Sequence, residues 1–442
     1  MKTNATLRHT LIPAAALATP ETGLSAGLRR GTVEKLQSLL DSHTGNKPLA
    51  DFFRWACSER NPQRAAWLDL SGIEAQSRLV CALLDGMGDP GQSEQMMLHA
   101  LPMAACQVLE ELTEKVTGPC AAALAAAANR ATIQCLAGEK YRAADLLKAV
   151  EPLASETSLF SASRDAARFR TIAEMYVRET GQSSVEAIDR SLWCLLVAKA
   201  ESCHLAAYSV RQRWLGSMVT QGLMDRFRRG GAVMADGSVP LSRRLMAGAE
   251  SSRSVPVLAF FVAMLEPVLR FETLTALTSD TAFAEALNVA AMLVRLLKDM
   301  GTPLLTNDWV RSQFARLLDQ KTVDRDGADL ASVLNEEAGP WGDWTARLAS
   351  DVTRGETNIC LTGLLNLPLP VGIPRLCDRI DYLAGIFANA RKYLERLAQD
   401  VTVQVWSAVP ATLILRFVEF YERLYAGTPI PVTTQVCRRP VQ

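Results

Sequence analysis

The chain has 442 residues, room for one large domain or two to three ordinary ones. Its 47 basic and 47 acidic side chains cancel, which argues against a protein devoted to nucleic-acid phosphate or an anionic membrane surface. Hydrophobic residues at 49% against 21% charged exclude a largely disordered chain, and 26 Gly with 20 Pro exclude collagen-like or low-complexity character.

Residues 1–30 carry Lys2, Arg8 and the short apolar patch LIPAAALA, interrupted by Pro13. They read as a mobile N-terminal arm rather than a cleaved signal peptide. From there the chain has helical period and is rich in Ala, Leu, Arg, Gln and Glu, all good helix formers. Helices are predicted over 32–42, 72–87, 94–116, 119–137, 140–154, 163–178, 184–228 and 241–250. Further helices follow over 256–272, 281–300, 309–320, 342–365, 375–399 and 405–426. GDPG, TGPC, GGAVMADGSVP, KTVDRDGAD and NLPLPVGIP supply the turns. Strand-like alternation is confined to TVQVW (402–406) and to an extended tail over 429–442. These features predict an all-α fold, a large single helical domain over 31–428. Two segments that faintly suggest tetratricopeptide pairs, GEKYRAADLLKAVEP and AEMYVRETGQSSVEAIDRSLWC, do not keep a common period.

The longest apolar run, VPVLAFFVAMLEPVLRF, is broken by Glu266 and Pro267, so no membrane span is expected. The ten cysteines form no C-x-x-C pair and fall mostly in apolar helical patterns, which reads as a reducing, cytoplasmic setting without a disulfide framework.

Histidine is scarce, which weakens any Ser-His-Asp or Cys-His reading, and no phosphate-cradling glycine motif is present. Glu201 and His204 form an E-x-x-H pair, but a di-iron bundle needs a second such pair. Lys199, Arg211, Arg213, Arg226, Arg228 and Arg229 read as solvated basic helix ends, with an anion-binding lid as the functional alternative. Three segments carry more. RLVCALLDGMGD ends a helix in Asp85 and Asp89, four residues apart on one face, either a solvated helix stop or a divalent-metal pair. EALNVAAMLVRLLKDMGTP places Glu285, Asn288, Arg295 and Asp299 on one narrow polar stripe of an otherwise apolar helix, with Thr302 following; a stripe on a buried helix needs partners. WGDWTARLASDVTRGETNICL aligns Asp343, Arg347, Asp351, Arg354 and Asn358, opposite Trp341 and Trp344.

RLLKDMGT (295–302) resembles the second metal-binding helix of class I terpene synthases. RGETN (354–358) resembles the Arg-Gly-Glu/Asp…Asn stretch that follows it, and LSRRLMAG (241–248) the segment with the family's diphosphate-sensing arginine. DGMGD (85–89) keeps the first and last Asp of the Asp-Asp-x-x-Asp motif, with Gly86 at the second position; Lys298 stands where the family has Asn or Asp. The resemblance implies an isoprenoid-synthase-like helical bundle with insertions, which ionises a prenyl diphosphate with Mg²⁺ and guides the carbocation in an apolar pocket. It implies Asp85, Asp89, Asp299, Thr302 and Asp351 as metal ligands. Arg243, Arg244, Lys298 and Arg354 would bind the diphosphate, with Arg244 and Asp299 central to ionisation. Phe260, Phe261, Trp193 and Tyr208 would supply aromatic faces for the cation. A homodimer would be in keeping with such a bundle. The rival reading is a non-catalytic helical interaction protein, an adaptor or secreted effector, with a protein partner. The enzyme requires the scattered aspartates to converge on one pocket; the rival leaves them facing solvent separately.

Overall fold

The helix-forming composition is expressed throughout the computed structural model, which describes residues 23–42, 47–117, 122–138, 158–161, 163–228, 236–322, 328–334, 348–349, 351–352 and 356–426. The first half comprises α1 (Gly23–Asp41), α2 (Lys47–Cys57), α3 (Arg64–Leu70), α4 (Ile73–Leu84), α5 (Pro90–His99), α6 (Leu101–Val116), α7 (Ala122–Leu136), α8 (Arg164–Thr180), α9 (Val185–Ser191) and α10 (Trp193–Ser209). The second half comprises α11 (Gly216–Arg228), α12 (Leu241–Ser251), α13 (Ser254–Met264), α14 (Phe271–Ser279), α15 (Thr281–Met300), α16 (Thr302–Thr306), α17 (Asp308–Thr322), α18 (Leu330–Leu334), α19 (Leu369–Gln404) and α20 (Val409–Leu424). Among the described residues there is no strand, only the isolated bridges Thr117–Phe160 and Asp329–Pro368. The fold is all-α, as the sequence predicts.

Several boundaries differ from the sequence reading. The region 184–228 is three helices, broken at Leu192 and again where Arg211 to Leu215 form a turn with Gly216 pressed on the Val210 carbonyl. The segment 94–116 splits at Ala100 and Pro102. TVQVW is the end of α19 and its stop, not a strand; Trp406 closes it with φ of 52°. Residues 23–30, expected in the arm, belong to α1. The rest of the arm, the predicted helix 140–154 and the extended tail lie outside the described residues.

Two apolar cores organise the helices. One gathers α2, α3, α8, α9 and the first half of α10 around Phe52, Phe53, Trp67, Phe169 and Tyr176. The other gathers α4, α5, α11 to α15, α19 and α20 around Phe260, Phe261, Phe283 and Phe417. α6 and α10 pack against each other along their length and contribute to both cores, so this pair is the seam. α13 is apolar after Ser254 and buried from Pro256 to Met264, as a helix packed by α11, α15 and α20 must be. No helix among the described residues is long and apolar enough to cross a membrane.

Candidate functional site

The polar stripe of α15 finds partners at both ends. Near its start, Glu285 accepts a 2.6 Å hydrogen bond from the Tyr393 hydroxyl on α19. Near its end, Asp299 is 1% exposed and forms an ion pair with Arg295, one helical turn earlier, at 2.9 Å. Arg295 also donates to the Thr357 carbonyl (2.6 Å), and the Ile359 amide donates to Asp299 Oδ2 (3.0 Å). Asn358 ties this together: its Nδ2 donates to the Asp299 carbonyl (2.8 Å) and to Asp351 Oδ2 (2.7 Å), while its Oδ1 accepts from the Cys360 amide (2.9 Å). Arg244 is buried nearby and donates to the Thr362 carbonyl (3.1 Å), an acceptor it shares with Arg379. The structure therefore brings Asp299, Asp351, Asn358 and Arg244 to one stretch of chain, residues 356–362.

Arg295 and Lys298 line a cleft of about 460 Å³ that lies between the two cores. Its walls come from α3, α6, α8, α11, the residues entering α13, α15 and α20. On α6, the run EELTEK places Glu110, Glu111 and Glu114 within two turns. Glu110 is buried, 1% exposed, against Arg226 and 3.5 Å from Arg253. Glu114 meets Arg226 at 3.1 Å, Lys298 at 3.4 Å and Arg253 at 3.7 Å. Lys199, buried on α10, adds a further positive charge within reach of Glu114 and lies over the Phe227 ring. Lys115 is taken up by Glu111 (2.8 Å), and Arg295 by Asp299.

Around Glu114, four cations thus face Glu110 and Glu114, with Glu111 also acting on Arg253, and burial and charge together shift the proton affinities. Burial, with repulsion from Arg253, holds the Arg226 guanidinium well below its ordinary value, and the Arg226 Nε has no hydrogen-bond partner. Burial also lowers Lys199. Burial alone would raise Glu114, but Lys298, Arg253 and Lys199 override it and bring the carboxyl down to about 2. Phe417 and Tyr421 of α20, with Tyr425 just after it, form an aromatic wall.

The remaining sequence candidates lie elsewhere. Asp89 is the exposed N-cap of α5, in a capping box with Gln92 (2.8 and 3.1 Å), and Asp85 ends α4, with its carbonyl accepting from Arg416 (2.9 Å). The turn between them packs on Val268, beyond the C-terminal end of α13, whereas the cleft is lined by the N-terminal end. Eleven residues of helix, about 16 Å, separate the two ends. Gly86 has φ of 69°, the backbone of a turn rather than of a helix carrying a ligand pair. The expected metal quintet is therefore divided. Asp299 and Asp351 meet through Asn358, but Asp85 and Asp89 sit at the opposite end as helix caps, and the Thr302 hydroxyl is committed to the Glu422 carbonyl. Among the described residues no group of three or more His, Cys, Asp or Glu is gathered to hold a metal ion, and of the five only Asp299 and Asp351 come together.

Arg243 is exposed, and Arg354, with Asp343 and Arg347, lies outside the described residues. Arg244 supports carbonyls and does not line the cleft. Phe260 and Phe261 meet edge to face in the core, Trp193 packs on the other core, and Tyr208 is exposed beneath Arg211, whose guanidinium is 3.6 Å from the ring centre. Arg226 and Lys199, read as solvated, are instead drawn into the cleft region, while Arg228 is exposed. Glu201 accepts from Ser42 (3.4 Å) and His204 is next to Tyr208, an ordinary surface pairing. Sequence reasoning missed Glu110, Glu111 and Glu114. Their signal was three carboxylates in five residues of a helix whose neighbours, VL before and V after, are core residues.

No protein-family model, curated protein or solved structure matches the chain.

Proposed function

We propose that the interlobe cleft binds a small molecule bearing a diphosphate or similar polyanion, with prenyl diphosphates as the first class to test. The observation that carries this reading is the surplus of cations from α10, α11, the α13 entrance and α15 around the single cluster Glu110 and Glu114. A partly buried positive surplus is relieved by an anion, and guanidinium forks match phosphate oxygens bidentately. The approach of Asp299 and Arg244 to residues 356–362, of which Glu356 lines the cleft with Arg295 and Lys298, supports the terpenoid-synthase-like version. In that version Arg226, Arg253 and Lys298 stabilise the departing diphosphate as the allylic C–O bond ionises, and Tyr421 and Tyr425 shield the cation.

The division of the aspartates favours the second reading, a non-catalytic helical protein that binds such a ligand without converting it. Both are tested together. The chain is titrated with inorganic pyrophosphate and with geranyl, farnesyl and geranylgeranyl diphosphates, with and without Mg²⁺. Thermal stabilisation and hydrocarbon or alcohol products are followed. Stabilisation by pyrophosphate, weakened about tenfold or more in affinity by Lys298→Gln, is the expected result. Turnover assigns the enzyme and stabilisation without turnover the binding protein; no stabilisation by any of these anions overturns both.

A further inference from the structure

We propose that Cys106 on α6 and Cys203 on α10 are a thiol-oxidation site, closing into a reversible disulfide that staples the seam between the two cores. The two sulfurs are 3.3 Å apart, and both side chains are completely buried. A disulfide needs about 2.05 Å, so the sulfurs must approach by roughly 1.3 Å, within reach of small side-chain rotations on two packed helices. The surroundings favour one sulfur as the attacking thiolate. Either sulfur can donate to the other, and this contact, with the Arg253 and Arg226 charges, holds the Cys106 thiol below its ordinary value despite burial. Cys203 is pushed the other way, first by its bond to Cys106 and then by burial. Two thiols in contact, one with its proton affinity lowered and the other with it raised, have the arrangement of an attacking and a resolving cysteine.

Two other buried thiols among the described residues differ from this pair. Burial raises Cys57, whose sulfur accepts from the Trp67 indole, and Cys360 to about 12 each.

The oxidant is hydrogen peroxide, a molecule close to water in size, and the cleft reaches Gln107, next in chain to Cys106. The Cys106 thiolate attacks one peroxide oxygen and breaks the O–O bond, giving a sulfenic acid and hydroxide. Cys203 sulfur then attacks the Cys106 sulfur, the S–O bond breaks, and the Cys203 proton leaves with the oxygen as water. Two thiols give up two electrons and two protons, and the peroxide becomes two waters. The disulfide closes a loop between residues 106 and 203 and ties both cores together. The assignment does not depend on what the cleft binds.

The test uses the full chain, reduced, freed of reductant and exposed to hydrogen peroxide. Free thiols are then alkylated in denaturant and peptides mapped without reduction. Expected are a mass loss of two hydrogens, a linked peptide pair containing Cys106 and Cys203, and a melting temperature that rises on oxidation and returns with dithiothreitol. Cys203→Ala should abolish the link and leave Cys106 as a sulfenic acid trapped by dimedone. If that variant does not fold, the wild-type map decides alone. Recovery of both thiols free while the half-buried Cys81 or Cys377 is oxidised, or linkage of Cys106 to a different cysteine, overturns the proposal.

Discussion

Asp299 shows how one side chain can be polar, buried and structural at once. A carboxylate with 1% exposure persists because Arg295, the Ile359 amide and the Asn358-bridged Asp351 surround it. Removing one member of such a pair strands the other, so Asp299→Ala should destabilise the fold by about 3–5 kcal/mol in urea unfolding. Replacing Arg295 and Asp299 together by Met and Leu should be milder, since no charge is left alone. Asn358→Ala, which unties Asp299 from Asp351, should cost about 1–3 kcal/mol. An Asp299→Ala variant within about 0.5 kcal/mol of the parent would show that the network is not holding the 356–362 stretch on α15.

The helices carry their chemistry by face. α6 buries Val108, Leu109, Leu112 and Val116 on the seam and turns Glu111 and Glu114 into the cleft, so its register sets where negative charge stands beside Lys298 and Arg253. The carboxyl of Glu114 falls from its ordinary 4.5 to about 2 on folding. A group with a depressed folded pKa adds stability above its unfolded value and loses it as pH falls through the folded one. Stability should therefore drop between pH 4.5 and about 2, and Glu114→Gln should flatten that part of the curve, as read by denaturant midpoints at stepped pH. An unchanged slope in the variant would remove Glu114 as its source.

Across the whole molecule, two apolar cores share α6 and α10, and the charged cleft opens where they meet. Sites at such junctions can draw side chains from both sides; here Asp165 and Arg168 come from one and Lys298 and Tyr421 from the other. Shared helices also couple the cores energetically. Phe52→Ala in one and Phe417→Ala in the other each delete a fully buried ring and should cost about 3–5 kcal/mol. Both should lower one common transition, coincident by circular dichroism and tryptophan fluorescence. Two separate transitions, one moved by each variant, would mean that the seam does not couple them.

The helical class followed from local composition and period, and so did the tension in the α15 stripe: Arg295 and Asp299 on an otherwise apolar helix had to find buried partners. The link from Asp299 to Asp351 and Asn358, 59 residues on, was legible only as an ordering of short motifs. The run Glu110, Glu111 and Glu114 looked like ordinary helix polarity, and Lys199 and Arg226 like solvated ends, because period and charge specify a face but not what covers it. DGMGD likewise had the chemistry of a ligand pair and the conformation of a turn. Periodicity is a short-range property, set by backbone geometry within a few residues, and the sequence alone determined which segments coil and which of their faces are apolar. Which faces meet depends on packing summed over distant helices, and that alone decided that Asp85 and Asp89 lie at one end of α13 while the cations gather at the other.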